Sequence, residues 1–274
     1  MEEIFPAIRD CVEDLPKSRT LLAEATYGAA IIGPYLDTLP SGARVLEVGS
    51  GPGILLAHFT HSYPDLDIAG LEPVSAGFAT SELFIQRLDG RFSMRLERCG
   101  YQQFCSSQSL DLIFLINVFE HLPDWRDFLS FAERNLKSGG RCVILCPNYG
   151  FPYESHFGLP VIGGKRLTSR LFRNKIAKHE RERNASGLWD SLNFVTWTQL
   201  RASLVGHKLK PEFDSGFLEH MVRRLQTDPE FRRRQSGIAF AARMVASSGL
   251  LYVLRWKRLW RYHPYMHVTL TRTG

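Results

Sequence analysis

The chain of 274 residues carries an ordinary 44% of hydrophobic and 23% of charged residues, which excludes a chain too polar to bury a core and allows one large α/β domain or a domain with a substantial insertion. Its formal charge of +6 is unevenly spread: residues 1–150 hold 12 Lys/Arg against 19 Asp/Glu, residues 165–184 hold 8 against 2, and residues 217–263 hold 10 against 3. The basic character therefore belongs to two later segments and bears on partners rather than on fold.

Five cysteines without paired short spacings do not make a disulfide scaffold and fit a reducing compartment. Cys142 and Cys146, four residues apart on one strand, would stand about 13 Å from each other and share neither a disulfide nor a metal. No metal-ligand set is assigned. The opening Met-Glu-Glu has no basic, apolar and small-residue order of a secretion signal, so a cytoplasmic location is expected.

Residues 1–42 read as helices. Leu21, Leu22, Ala25, Ala29, Ile32, Tyr35 and Leu36 recur at roughly helical spacing until Pro40-Ser41-Gly42 breaks the run. Next, Val45, Leu46 and Val48 form a β-rich run that collapses into Gly49, Gly51 and Gly53, and Ile54-Leu55-Leu56-Ala57 can start a helix. A strand, a tight turn and a helix N-terminus in that order suit a small polar ligand lying against bare backbone. A second strand, Asp67 to Pro73, closes on Glu72, where a carboxylate can accept both hydroxyls of a ribose.

A helix from about Ser75 to Leu88 and a third strand near Ser93–Glu97 follow. Leu110 to Asn117 is a continuous apolar run, as a central parallel strand buried on both faces should be. Trp125 to Leu136 reads as a helix stopped by Lys137-Ser138-Gly139-Gly140, and Arg141 to Cys146 as a fifth strand. Later come a helix, Leu200–Val205, a sixth strand, His207–Asp214, and a seventh, Tyr265–Thr271.

The segment Glu47-Val48-Gly49-Ser50-Gly51-Pro52-Gly53 closely resembles the E/D-x-G-x-G-x-G signature of class I S-adenosylmethionine-dependent methyltransferases. The dinucleotide pattern G-x-G-x-x-G fits less well, because the third glycine comes one residue early. Val118-Phe119-Glu120-His121-Leu122-Pro123-Asp124 is similar to the same family's ending of strand four. The resemblance covers about residues 40–150 tightly and thins beyond. It implies a doubly wound, mostly parallel seven-stranded sheet with helical inserts, its seventh strand lying between the fifth and sixth. Here that terminal hairpin would be split by residues 215–264, too many for a plain loop.

The implied organisation is an N-terminal helical cap (1–42), a Rossmann-like cofactor core (43–150), an acceptor-side insert (151–198) and a sheet completion interrupted at about 215–264 (199–274). In the family the N-terminal helix commonly lids the cofactor; an amphipathic helix packed on the sheet edge is the other reading. The implied cofactor is S-adenosyl-L-methionine, held by Glu47, Gly49, Ser50, Gly51, Gly53 and Glu72, with Asn117 under its methionine end. The family's acid at the adenine is missing from Arg98 to Phe104, leaving Gln102 or backbone as substitutes and Tyr101 or Phe104 to flank the ring.

Methyl transfer is an in-line displacement from an activated donor, so the protein mainly aligns the partners and excludes water. An acceptor hydroxyl needs a base, and ligands of open parallel sheets bind at the carboxyl ends of the strands. That selects His121 after strand four, and Tyr149, Tyr153, Glu154 and His156 after strand five. His156 is the first choice, since imidazole titrates near neutrality and Glu154 could orient it; a loop histidine bonded to backbone is the alternative. His121 is expected to brace its loop.

The sequence Asn117-Val118-Phe119-Glu120 lacks the prolines of the Asn/Asp-Pro-Pro-Tyr/Phe motif, which disfavours an amino-nitrogen acceptor of that type. The expected activity is O-methylation of a bulky small-molecule, lipid-linked or glycan-like acceptor. Ile238 to Leu254 is apolar, and Trp256 and Trp260 alternate with arginines behind it. Residues 238–262 could lie at the periphery of an anionic membrane, stack on nucleic acid, or fold into a helical subdomain with its own core. An RNA methyltransferase or RNA-binding protein using the basic segments, and a catalytically silent cofactor-binding module, are the competing functions.

Overall fold

A computed structural model describes residues 4–73, 79–105, 108–228, 232 and 255–274. Among them, seven strands form one sheet in the order β3-β2-β1-β4-β5-β9-β8, with β1 Arg44–Val48, β2 Asp67–Leu71, β3 Arg95–Glu97, β4 Leu110–Ile116, β5 Leu136–Pro147, β8 Leu209–Phe213 and β9 Tyr265–Arg272. A small antiparallel pair, β6 Tyr153–Glu154 and β7 Leu159–Pro160, stands apart. β1 runs parallel to β2 and to β4, and β2 parallel to β3. The last strand inserts beside β5, as the resemblance implies.

The backbone divides into two compact units. The first comprises Met1–Ile116, Phe128–Val143 and Thr271–Gly274. Its helices are α1 Pro6–Val12, α2 Ser18–Leu36, α3 Ile54–Ser62 and α4 Ala79–Asp89. β4 is buried along nearly its whole length, which is why its sequence is unbroken by polar residues apart from Asp111. Asp111 itself ties the strand starts together, accepting from the Arg44 backbone N–H at 2.9 Å and pairing with Lys137.

The N-terminal helices pack on this layer. A Cβ at Gly28 of α2 would stand 2.9 Å from Leu55 and 3.0 Å from Ile116, so the missing side chain is what brings α2 against α3 and the end of β4. Ile8 and Val12 form the buried stripe of α1, and Ile4 just before the helix is buried too. The helix expected from Ser75 is described only from Ala79, residues 74–78 lying outside the described residues.

The second unit comprises Asn117–Asp127 and Ile144–Leu270. Its helices are α6 Lys165–Arg183, α7 Leu188–Ser191, α8 Trp197–Ser203 and α9 Phe217–Thr227; α5, Trp125–Asn135, starts in this unit and continues in the first. The insert has its own apolar cluster, built from Phe157, Leu159, Ile176, Trp189 and Leu192. Asn148, at the end of β5, is its polar hinge. Its side-chain nitrogen donates to the carbonyls of Trp260, Arg261 and His263, and its oxygen accepts from the Gly150 and Trp197 N–H groups.

Several boundaries differ from the sequence-based expectation. β5 begins at Leu136, directly after α5, because Gly139 and Gly140 carry the strand through a close backbone approach: a Cβ on Gly140 would meet carbonyl oxygens of Lys137 and Leu110 at 2.9 and 3.0 Å. α8 starts at Trp197 because Thr196 and Gln199 form a capping box. β8 starts at Leu209, two residues later than expected.

Most of the expected interfacial segment, residues 238–254, lies outside the described residues. In its described tail, Trp260 stacks on Phe213 with ring centroids 4.8 Å apart, whereas Trp256 is 62% exposed. Among the described residues no helix is long and apolar enough to cross a membrane.

Candidate active site

In the first unit the loop after β1 turns through three residues with positive φ: Gly49 at 78°, Gly51 at 51° and Gly53 at 75°. Glycine adopts these conformations at no steric cost, and Gly53 doubles as the N-cap of α3. The Gly49 and Ser50 N–H groups both donate to the Leu71 carbonyl, at 2.8 and 3.0 Å, fixing the loop to the end of β2. The Gly51 N–H donates to Glu72 Oε2 at 2.8 Å. The loop and the strand-end acid are thus one hydrogen-bonded unit.

Two carboxylates serve this loop. Glu72 is buried, which raises its pKa, while the bond from Gly51 and the charge of Arg98 oppose the rise. Glu47, inside β1, is more extreme. Burial pushes its pKa up to about 8 and the charge of Glu72 adds to the rise; the neighbouring Ser50 hydroxyl opposes it, without making a bond of hydrogen-bonding geometry.

Glu47 Oε2 and Ser50 Oγ are both buried and unpartnered, and a Cβ on Gly51 would meet no atom within 4 Å. Buried polar atoms normally find partners, so two orphans beside an open glycine are where a polar ligand is expected. These residues fit the amino acid end and ribose of S-adenosylmethionine. Tyr101 is buried, its ring perpendicular to Phe128 at 5.2 Å and tilted against Phe131 at 5.3 Å, while Gln102 is exposed.

In the second unit, the residues that follow β4 meet the insert. Asn117 has φ 54°, donates its N–H to the Leu145 carbonyl at 2.8 Å and leaves its side-chain oxygen buried without a partner. Asparagine is among the few residues other than glycine that adopt this conformation readily, and such positions gather at functional sites. A short 3₁₀ turn, Phe119–His121, then brings in Glu120 and His121.

Glu154 is fully buried, yet its pKa is lowered. Burial alone would raise it, but it is outweighed by the hydrogen bond and charge of His156 and by the backbone N–H groups of Phe157 and His156. His156 Nδ1 lies 2.6 Å from Glu154 Oε1, which also accepts from the Tyr149 hydroxyl at 3.3 Å. The carboxylate thereby orients the imidazole. Its Nε2 faces Glu120 Oε1 at 3.8 Å.

His121 Nδ1 bonds to Ser191 Oγ at 2.9 Å and its Nε2 stands 4.0 Å from the same Glu120 oxygen. Burial and the charge of His156 push the His121 pKa down to about 4, so it is neutral near pH 7. Glu120 is fully buried, and burial pushes its pKa up to about 7. Tyr153 sits in the β6–β7 hairpin, and burial together with the charge of Glu154 raises its pKa. Glu120, unmarked as a site residue by sequence, is the centre of this group. Its sequence signal is its place beside His121 in the segment Val118–Asp124.

A seven-stranded sheet of this order, with a glycine loop after β1 and an acid after β2, defines the class I methyltransferase fold. Residues 24–199 match the family described as "Methyltransferase domain", and the chain belongs to that family. An uncharacterised protein of Mycobacterium tuberculosis is 34% identical over 265 residues, covering 92% of this chain and 86% of its own. A ubiquinone biosynthesis O-methyltransferase of Bradyrhizobium sp. (strain ORS 278) is 26% identical, covering 64% of this chain and 62% of its own.

Among solved structures, a Haemonchus contortus phosphoethanolamine N-methyltransferase in complex with phosphomonomethylethanolamine and S-adenosylhomocysteine has a TM-score of 0.53 at 14% identity. It is matched over 90% of this chain, which spans 52% of that protein. The fold is therefore shared with S-adenosylmethionine-dependent methyltransferases. The chain is an enzyme of that class.

Proposed function

We propose that the protein transfers the methyl group of S-adenosylmethionine to an oxygen of a bulky acceptor. The observation that carries this reading is the dyad of His156 and the buried Glu154. A carboxylate 2.6 Å from Nδ1 fixes the tautomer and supports the imidazolium that forms when Nε2 accepts a proton. A hydroxyl needs such a group, because its proton must leave before the oxygen becomes a good nucleophile.

The cofactor supplies an activated methyl group on a sulfonium. Within the chain, the Glu72-braced loop binds, Asn117 presents an amide oxygen, and the dyad takes the acceptor proton. The O-methyltransferase relative supports an oxygen acceptor. A peripheral membrane position through residues 238–262, supplying a lipid-linked acceptor, belongs to the same proposal.

The test is incubation with S-adenosylmethionine and a panel of hydroxylated phenols, polyprenyl phenols and glycans beside their amino analogues. A mass gain of one methylene on hydroxyl compounds supports the reading. Methylation confined to the amino analogues contradicts it.

A further inference from the structure

Glu120, His121 and His156 form a group whose ligating atoms all lie within 4.8 Å of one another. Three features set it apart from a chance cluster. Glu120 is fully buried with both carboxylate oxygens unpartnered. Each imidazole has its Nδ1 engaged by another residue, Ser191 for His121 and Glu154 for His156. Each turns its Nε2 toward the same oxygen, Glu120 Oε1, at 4.0 and 3.8 Å.

An unpartnered buried carboxylate is costly, and two oriented imidazoles at these distances do not relieve it by hydrogen bonding. A cation would. We propose that Glu120, His121 and His156 bind one divalent first-row transition-metal ion, with Glu154 and Ser191 as the outer partners that orient the two imidazoles.

Two imidazoles and a carboxylate suit such ions rather than magnesium or calcium, which prefer oxygen. In a tetrahedral site with bonds of about 2.1 Å the ligand atoms stand about 3.4 Å apart, so the group must draw in by roughly half an ångström or more. The Glu154–His156 contact reproduces the carboxylate–histidine–metal arrangement that raises ligand basicity. Three protein ligands leave a position open for an acceptor oxygen.

The inference deepens the oxygen-acceptor reading and changes one role within it. With the ion present, His156 Nε2 is a ligand rather than the base. A hydroxyl bound at the open position then releases its proton to solvent water, and its lone pair forms the new O–CH3 bond as the S–CH3 electrons return to sulfur.

The test is cobalt(II) titration of the chelator-stripped full chain, followed by ligand-field absorption, with zinc(II) competition against a chromophoric chelator. The expected result is one equivalent bound with imidazole-type bands, weakened at least about tenfold in Glu120→Gln and in His121→Gln. Circular dichroism establishes that both variants fold, and His121→Gln, at a partly exposed position, serves alone should Glu120→Gln unfold. Absence of stoichiometric binding, or equal binding by the folded variants, would overturn the proposal. Because the readout needs no acceptor, bound cobalt without any hydroxyl methylation would refute the oxygen-acceptor reading alone. Hydroxyl methylation without cobalt binding would refute the metal site alone.

Discussion

Glu154 Oε1 lies 2.6 Å from His156 Nδ1, and the same carboxylate takes the backbone N–H groups of His156 and Phe157 at 3.0 and 2.7 Å. One buried acid thus sets both the course of the loop and the direction of the imidazole it carries. Replacing His156 by Asn removes the proton acceptor or ligand while leaving the loop bonds in place. The expected outcome is a loss in kcat of at least about 100-fold with S-adenosylmethionine affinity unchanged. Single-turnover rates beside calorimetry check it.

Glu154→Ala acts on both levels. It strips two buried N–H groups of their acceptor and frees the imidazole, so stability falls by about 3 kcal/mol and activity falls with it. Glu154→Gln keeps an acceptor and restores most of the stability but not the charge behind the imidazole. Urea denaturation compared with turnover separates the two variants.

Glu47 makes stability and cofactor affinity respond to pH in opposite senses. Its carboxyl has a folded-state pKa of about 8 against an ordinary 4.5, so between these values the folded chain holds a proton that the unfolded chain has lost. Its contribution is fully present below about pH 4.5 and is lost as pH rises toward 8, at up to about 1.4 kcal/mol per pH unit. Glu120, raised to about 7, adds a slope of the same sign up to its own pKa. Glu47→Gln should flatten the loss seen in melting curves between pH 5 and about 8 without abolishing it. A cationic cofactor beside Glu47 favours the ionised form, so its binding releases protons in this range, measurable as a buffer-dependent heat.

Asn148 predicts a structural effect of chemistry alone. Its nitrogen faces three carbonyls and its oxygen two N–H groups, all from other parts of the second unit. Asn148→Ala is expected to cost about 3 kcal/mol or more, and Asn148→Asp at least as much, because a carboxylate oxygen then confronts the three carbonyls. Denaturant midpoints of the two variants check the order.

Much of the first unit is legible in the sequence because its signals are local. Val45 to Gly53 spells strand, turn and helix start within ten residues, and the uninterrupted apolar run Leu112 to Ile116 marks a strand buried on both faces. The misread start of β5 shows the limit: Gly139-Gly140 reads as a helix stop, yet the same glycines let a strand begin with backbone packed on backbone. The group around Glu120 is hidden for a different reason. Glu120 and His156 are 36 positions apart, and what joins them is the packing of the insert, which no spacing encodes.

The measurement closest to the centre of the account is calorimetric titration of the chain with S-adenosylmethionine and S-adenosylhomocysteine, beside Gly51→Arg and Glu72→Ala. An arginine at Gly51 meets no protein atom at its Cβ and so falls on the open side of the loop, while Glu72→Ala removes the acceptor of the Gly51 N–H. The expected result is one site per chain for both ligands, with affinity reduced at least about tenfold in each variant. Undiminished binding by both folded variants, or binding of NADH in place of S-adenosylmethionine, would contradict it.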